Sequence, residues 1–158
     1  VKENKMALRK IVKVGDELLR KKSKPVHDFD ENLWELLDDM KETMYQNNGM
    51  GLAAVQVGVL KRVIIIEANN MFMELINPEI ISMRGKDVEK EGCLSVGPDY
   101  EYVERPMQVT VKAKDRLGYD FTITGEKYLA RVLCHEIDHL DGVLFIDKVD
   151  KEYKKGKK

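Results

Sequence analysis

Cysteine is scarce in this chain: Cys93 and Cys134 are its only two among 158 residues. Two thiols cannot build the disulfide framework on which small secreted domains depend, so the pattern points to a reducing compartment. Histidine stops at three residues, proline at four, and aromatic side chains make up 7%. No apolar run reaches the roughly 20 residues that a membrane-spanning helix needs, and no hydrophobic signal core precedes the folded part. The expected location is cytoplasmic, away from any membrane. Neither sign of charge dominates: 27 basic against 28 acidic side chains create no global field of the kind that draws a protein onto DNA or another polyanion. Catalysis or small-ligand work is the class left standing. The length fits one domain spanning 1–158, large enough to bury about 68–70% of its unfolded surface without a covalent staple.

What the chain does contain is His135-Glu136-Ile137-Asp138-His139, an H-E-x-x-H pattern inside the run Tyr128–Leu140. On a helix the two histidines stand at i and i+4, one turn apart on one face, where both imidazoles reach a common metal ion. Laid on a wheel of 3.6 residues per turn, Leu129, Val132, Leu133, Ile137 and Leu140 form an apolar arc with the histidines along its edge. Glu136 falls within that arc. Desolvation there raises a carboxyl pKa, as a general base working near neutrality requires.

Residues 1–5 are polar and precede Met6. They read as an added leader, with Met6 the natural start. Asp16–Leu19 suggests a helical turn and Arg20–Lys24 a solvated connector. Asp28 or Asp30 caps a helix carrying Leu33, Leu36, Leu37, Met40 and Met44, which Asn47-Asn48-Gly49 ends. The following Gly49–Gly58 stretch has neither a Gly-Lys-Ser/Thr phosphate loop nor a dinucleotide fingerprint. Alone it reads as a structural turn, although Gly49 and Gly51 allow a ligand close to the backbone and Gln56 offers an amide that does not titrate. Strands are predicted over Arg62–Glu67, over Phe72–Asn77 ending at Pro78, and over Glu79–Met83. Gln108–Lys114 and Tyr119–Thr124 form a hairpin about Arg116-Leu117-Gly118. The predicted fold class is α+β: a mostly antiparallel sheet, a central metal-binding helix and a second helix in the N-terminal half. Lys151–Lys158 is a basic tail.

A catalytic zinc-type site takes three protein ligands and keeps one position open for water. Two histidines leave one ligand to find, and the 19 residues after His139 contain neither His nor Cys. Cys93, in the segment Glu91-Gly92-Cys93-Leu94-Ser95-Val96, or a downstream carboxylate must serve. Cys134 stands about 100° from His135 on the helix and reads as an inert thiol. A metal would hold Cys93 as thiolate, and a thiolate with two imidazoles suits Fe(II), Zn(II), Co(II) or Ni(II) rather than Mg(II) or Ca(II).

Three segments, Gly49–Gln56, Glu91–Ser95 and His135–Gly142, together resemble the three motifs of peptide deformylase, in order and at similar separations. The likeness extends to Arg9–Val26 and to Gly142-Val143-Leu144-Phe145-Ile146-Asp147, so it covers nearly all of the chain after Met6. Val96-Gly97-Pro98 departs from it by reversing the Pro-Gly order common there, at what would be the pocket rim.

The resemblance implies an enzyme that removes the N-terminal formyl group from formylmethionine of nascent polypeptides and releases formate. It implies metal ligation by Cys93, His135 and His139, with ferrous iron the cellular ion and zinc, nickel or cobalt its replacements on purification. Glu136 would be the general base, while the amide of Gln56 and the backbone N–H of Leu94 would steady the developing oxyanion. Gly51 would let the substrate backbone approach, and Met50 would face Val132 and Tyr128 across the methionine pocket. Gly49 and Glu91 count among the substrate-binding residues. Family members act on chains leaving the ribosome, so the basic tail has a transient ribosome contact as one reading and simple solubilisation as the other. A general metallopeptidase and a structural metal module that only binds peptide are the competing functions.

Overall fold

The computed structural model describes residues 7–154. The expected leader at 1–5 and the tail beyond residue 154 lie outside the described residues. Helix α1, Glu31–Gln46, starts where the Asp30 carboxylate accepts from the N–H groups of Asn32 and Leu33, satisfying donors that a helix start leaves unpaired. Its apolar stripe of Leu33, Leu36, Leu37, Met40 and Met44 is buried. Helix α2, Tyr128–Leu140, covers the span read from periodicity. Lys151–Lys154 adds a short α3.

Strands β1 (Gly51–Ala53), β2 (Val63–Ala68), β3 (Met71–Arg84), β6 (Gln108–Lys114) and β7 (Asp120–Glu126) make a five-stranded sheet in the order β1-β2-β3-β6-β7. Every neighbouring pair in it is antiparallel. It is sandwiched between the two long helices. On β2, Val63 and Ile65 join the α1 side while Ile64 and Ile66 join the α2 side, because successive strand residues point to opposite faces. A strand covered on both faces reads as a continuous apolar run rather than an alternation. Each of these side chains is fully buried, contributing roughly 1.5–3 kcal/mol of transfer free energy.

Three sequence expectations need correction. The predicted break at Pro78 does not occur, for β3 runs unbroken from Met71 to Arg84. Pairing with β6 shifts register between Ile76 and Glu79, and Asn77 takes φ 52° there. Proline cannot donate to a ladder, and at a bulge no bond is lost. The second correction is a pair of strands that was not foreseen. β4 (Asp87–Cys93) and β5 (Gly97–Arg105) form a separate antiparallel ribbon. Among the described residues, no strand pairing joins this ribbon to the larger sheet. Cys93 closes β4, so the thiol rides on the ribbon and the histidines on α2. Likewise Gly51–Ala53, within the stretch read as a turn, is the edge strand β1, followed by a 3-10 turn over Ala54–Val57.

Candidate metal centre

Helix α2 is buried almost all round: beyond the apolar arc, Ala130, Arg131, Cys134, His135, Glu136 and His139 are also buried. Its i, i+4 spacing brings the imidazoles of His135 and His139 to a centroid distance of 5.0 Å, inclined at 73°. The ribbon supplies the third group. Cys93 Sγ lies 3.3 Å from His139 Nε2, and one ligand atom from each of Cys93, His135 and His139 falls within 4.8 Å of the others. Tetrahedral bonds of about 2.3 Å to sulfur and 2.0–2.1 Å to nitrogen would hold such atoms about 3.5 Å apart. The donor set therefore fits a divalent transition metal, and among the described residues these three alone form such a group.

His135 Nδ1 lies 2.7 Å from Glu91 Oε1. That contact leaves Nε2 for a ligand, as an outer carboxylate does around many metal-bound histidines. Burial opposes a charge on both rings. For His135, hydrogen bonds to Cys93 and Glu91 outweigh it and push the pKa up to about 10. For His139, burial and the nearby positive charge of His135 depress it well below the usual histidine value.

Glu136 lies on the inner wall. Its pKa is pushed up to about 7, chiefly by burial and further by the charge of Glu91, against the opposing pull of His135 and Arg105. Oε1 is buried without a hydrogen-bond partner. Oε2 lies 2.6 Å from the point that a Cβ on Gly51 would occupy. Gln56 is fixed from both ends: its Oε1 accepts from Ala53 N at 3.0 Å, and its Nε2 donates to Ser95 Oγ at 3.1 Å and faces Cys93 Sγ at 3.6 Å. The N-terminal segment braces the same region, with Val12 N–H donating to Gln56 O and Val14 N–H to Ser95 O, both at 2.7 Å. Between them Lys13 Nζ donates to Leu94 O at 3.0 Å.

These residues surround a cavity of about 540 Å³ whose floor is Cys93, His135, Glu136 and Gln56. Val132, Tyr128, Met50 and Leu94 line its sides, and Gly49 and Gly51 line it through their backbone. His139 is buried behind the floor.

Glu91 also lines the cavity, and its carboxylate is engaged by Arg105 Nε at 2.7 Å, Arg105 Nη2 at 2.9 Å, Arg131 Nη1 at 2.8 Å and His135 Nδ1 at 2.7 Å. Burial alone would raise its pKa, yet hydrogen bonds from Arg105 and His135 hold it at about 2. Arg105, Arg131, Asp138 and Ser95 are the neighbours that sequence reasoning missed. On the helical wheel Arg131 stands about 100° outside the apolar arc of α2, so the arc that singled out Glu136 carried no signal for it.

The profile of the family described as Polypeptide deformylase matches residues 8–155. The chain belongs to the peptide deformylase family. A peptide deformylase of Caldicellulosiruptor bescii is 59% identical over 144 residues, 91% of this chain and 87% of that one. The crystal structure of the peptide deformylase from Legionella pneumophila superposes with a TM-score of 0.88 at 47% identity, covering 94% of this chain and 90% of that one. A peptide deformylase from Acinetobacter baumannii, solved with Met-Ala-Ser bound, gives a TM-score of 0.88 at 33% identity over 92% and 100% of the two chains. The α+β architecture is thus that of solved peptide deformylases.

Proposed function

We propose that this protein removes the N-terminal formyl group from formylmethionine on nascent polypeptides, yielding formate and a free amine. The observation that carries this reading is the meeting of Cys93 and His135 with Glu136 and Gln56 on the floor of one cavity, with His139 buried directly behind it, in a chain of this family. The described chain works as one catalytic domain. Cys93, His135 and His139 hold one divalent ion, ferrous iron in the cell, with zinc, nickel or cobalt as substitutes. When bound, such an ion acidifies water and polarises the formyl oxygen.

Glu136 takes the proton of the attacking water on its carboxylate and passes it to the amine nitrogen as the C–N bond breaks. A pKa near 7 suits a group that must accept and then release a proton. The amide Nε2 of Gln56 and the backbone N–H of Leu94 donate to the formyl oxygen as charge collects on it. Glu91 contributes by orienting His135. Val132, Tyr128 and Met50 hold the methionine side chain, and Gly49 and Gly51 admit the peptide backbone.

The expected site of action is the cytoplasm; no described helix is long and apolar enough to cross a membrane. For the basic C-terminal tail, transient contact with the ribosome is one reading and simple solubilisation the other. The test is formate release from formyl-Met-Ala-Ser under anaerobic conditions, with metal content measured on the same sample. Glu136→Gln should abolish turnover and keep the metal. Cleavage of unformylated peptides without formate release would reassign the protein as a general metallopeptidase.

A further inference from the structure

Among the described residues, the ribbon that carries the thiol of Cys93 shares no strand ladder with the sheet against which α2 and its imidazoles pack. Whatever fixes Sγ against the ring nitrogens must cross from the ribbon to the helix. Two guanidinium groups do so, Arg131 reaching out from α2 and Arg105 reaching in from the ribbon, and Arg105 is the one that binds a carboxylate on each side. Arg105, at the end of β5, is 3% exposed. Its Nε and Nη2 form a fork on Glu91, two residues before Cys93, and its Nη1 donates to Asp138 Oδ2 at 2.6 Å, one residue before His139.

We infer that Arg105 is a positioning residue of the metal centre, setting the spacing between the thiol strand and the histidine helix by binding Glu91 and Asp138 at once. The inference rests on the reading of Cys93, His135 and His139 as a metal site. Charge accounting favours it. Arg105, Arg131 and Lys148 face Glu91, Asp138 and Asp87, three cations against three anions. The joint is balanced before any imidazole is counted, and the contact between His135 Nδ1 and Glu91 Oε1 leaves the other ring nitrogen for a metal. Arg131 ties the remaining faces, donating to Val103 O at 2.8 Å and Asp87 O at 2.7 Å. Lysine cannot replace Arg105 in this role. A planar fork with several fixed donors spans two carboxylates, whereas an ammonium is a single point.

The bland alternative is a buried salt bridge that merely holds the fold. Metal-free wild type, Arg105→Lys and Asp138→Asn are titrated with Co(II), following the thiolate-to-cobalt absorption band and measuring affinity by competition, and each metal-free protein is melted. Both variants should bind cobalt about 10–100-fold more weakly with an altered band, the cost typical of losing an outer-shell partner. Arg105→Lys keeps the buried positive charge, so its metal-free form should still show a cooperative melt. Folded variants with wild-type affinity and spectrum would reduce Arg105 to a fold-holding role and overturn the inference. A wild type with no thiolate-to-cobalt band would overturn the metal-site reading itself, a distinguishable result.

Discussion

Gly51→Ala tests the catalytic wall with one methyl group. A Cβ at this position would stand 2.6 Å from Glu136 Oε2 and 3.0 Å from both its Cδ and Cγ. An ordinary contact begins near 3.4 Å, so the carboxylate must retreat by roughly 3.4 − 2.6 = 0.8 Å. A misplacement of about 1 Å in a catalytic group costs on the order of 100-fold. We expect kcat on formyl-Met-Ala-Ser to fall about 10–100-fold with metal content unchanged. Stability moves less. The methyl removes glycine's excess chain entropy, worth roughly 0.5–1 kcal/mol, while crowding in a packed region costs about 1–3 kcal/mol. The net loss of up to about 2.5 kcal/mol lowers Tm by no more than about 10 °C in a domain of this size. Gly49→Ala is the control, because its Cβ meets the side-chain end Leu94 Cδ1 at 2.9 Å and Met44 Cγ at 3.3 Å, atoms that can swing aside. Steady-state kinetics and circular-dichroism melts on both variants decide the matter. A Gly51→Ala enzyme with kcat within twofold of wild type, or one no worse than Gly49→Ala, refutes the assignment of Glu136 as a group whose placement matters.

Val132, buried beside the cavity, should raise KM for formyl-Met-Ala-Ser at least tenfold when changed to arginine, with kcat altered less; an unchanged KM removes it from the methionine pocket. Burial pushes the Cys134 thiol up to about 11, so only about one molecule in a thousand carries thiolate there at pH 8. Iodoacetamide should modify one cysteine in the native metal-free chain and two in guanidinium, as mass spectrometry would count. A second native thiol reacting with a midpoint below pH 9 would contradict the burial argument.

The sequence made some parts of this molecule legible and hid others for physical reasons. Helix α2 was readable because apolar periodicity and the H-E-x-x-H spacing coincide on one span, and α1 because an apolar stripe follows two candidate caps, Asp28 and Asp30, of which Asp30 serves. The β6–β7 hairpin alternates cleanly about its turn. The ribbon β4–β5 was opaque: Asp87, Glu89, Lys90 and Glu91 in β4 give no apolar alternation, since its buried side is held by ion pairs to Arg105 and Arg131. Pro78 misled because a bulge removes the penalty that normally ends a strand. At the site, Cys93, His135, Glu136 and His139 declare themselves by chemical type. Glu91 was visible as part of a segment but not in its orientation, because partners fourteen and forty positions away decide where its oxygens go. No local pattern carries that information.

Strand β2 has a consequence beyond the cavity. Val63 and Ile65 belong to one core and Ile64 and Ile66 to the other, so four consecutive residues act as a keel common to both halves of the hull. Neither half can founder alone. A lesion at Ile65, on the side remote from α2, should shorten the lifetime of the active enzyme as surely as one beside Leu133, through a single cooperative melt rather than a local leak.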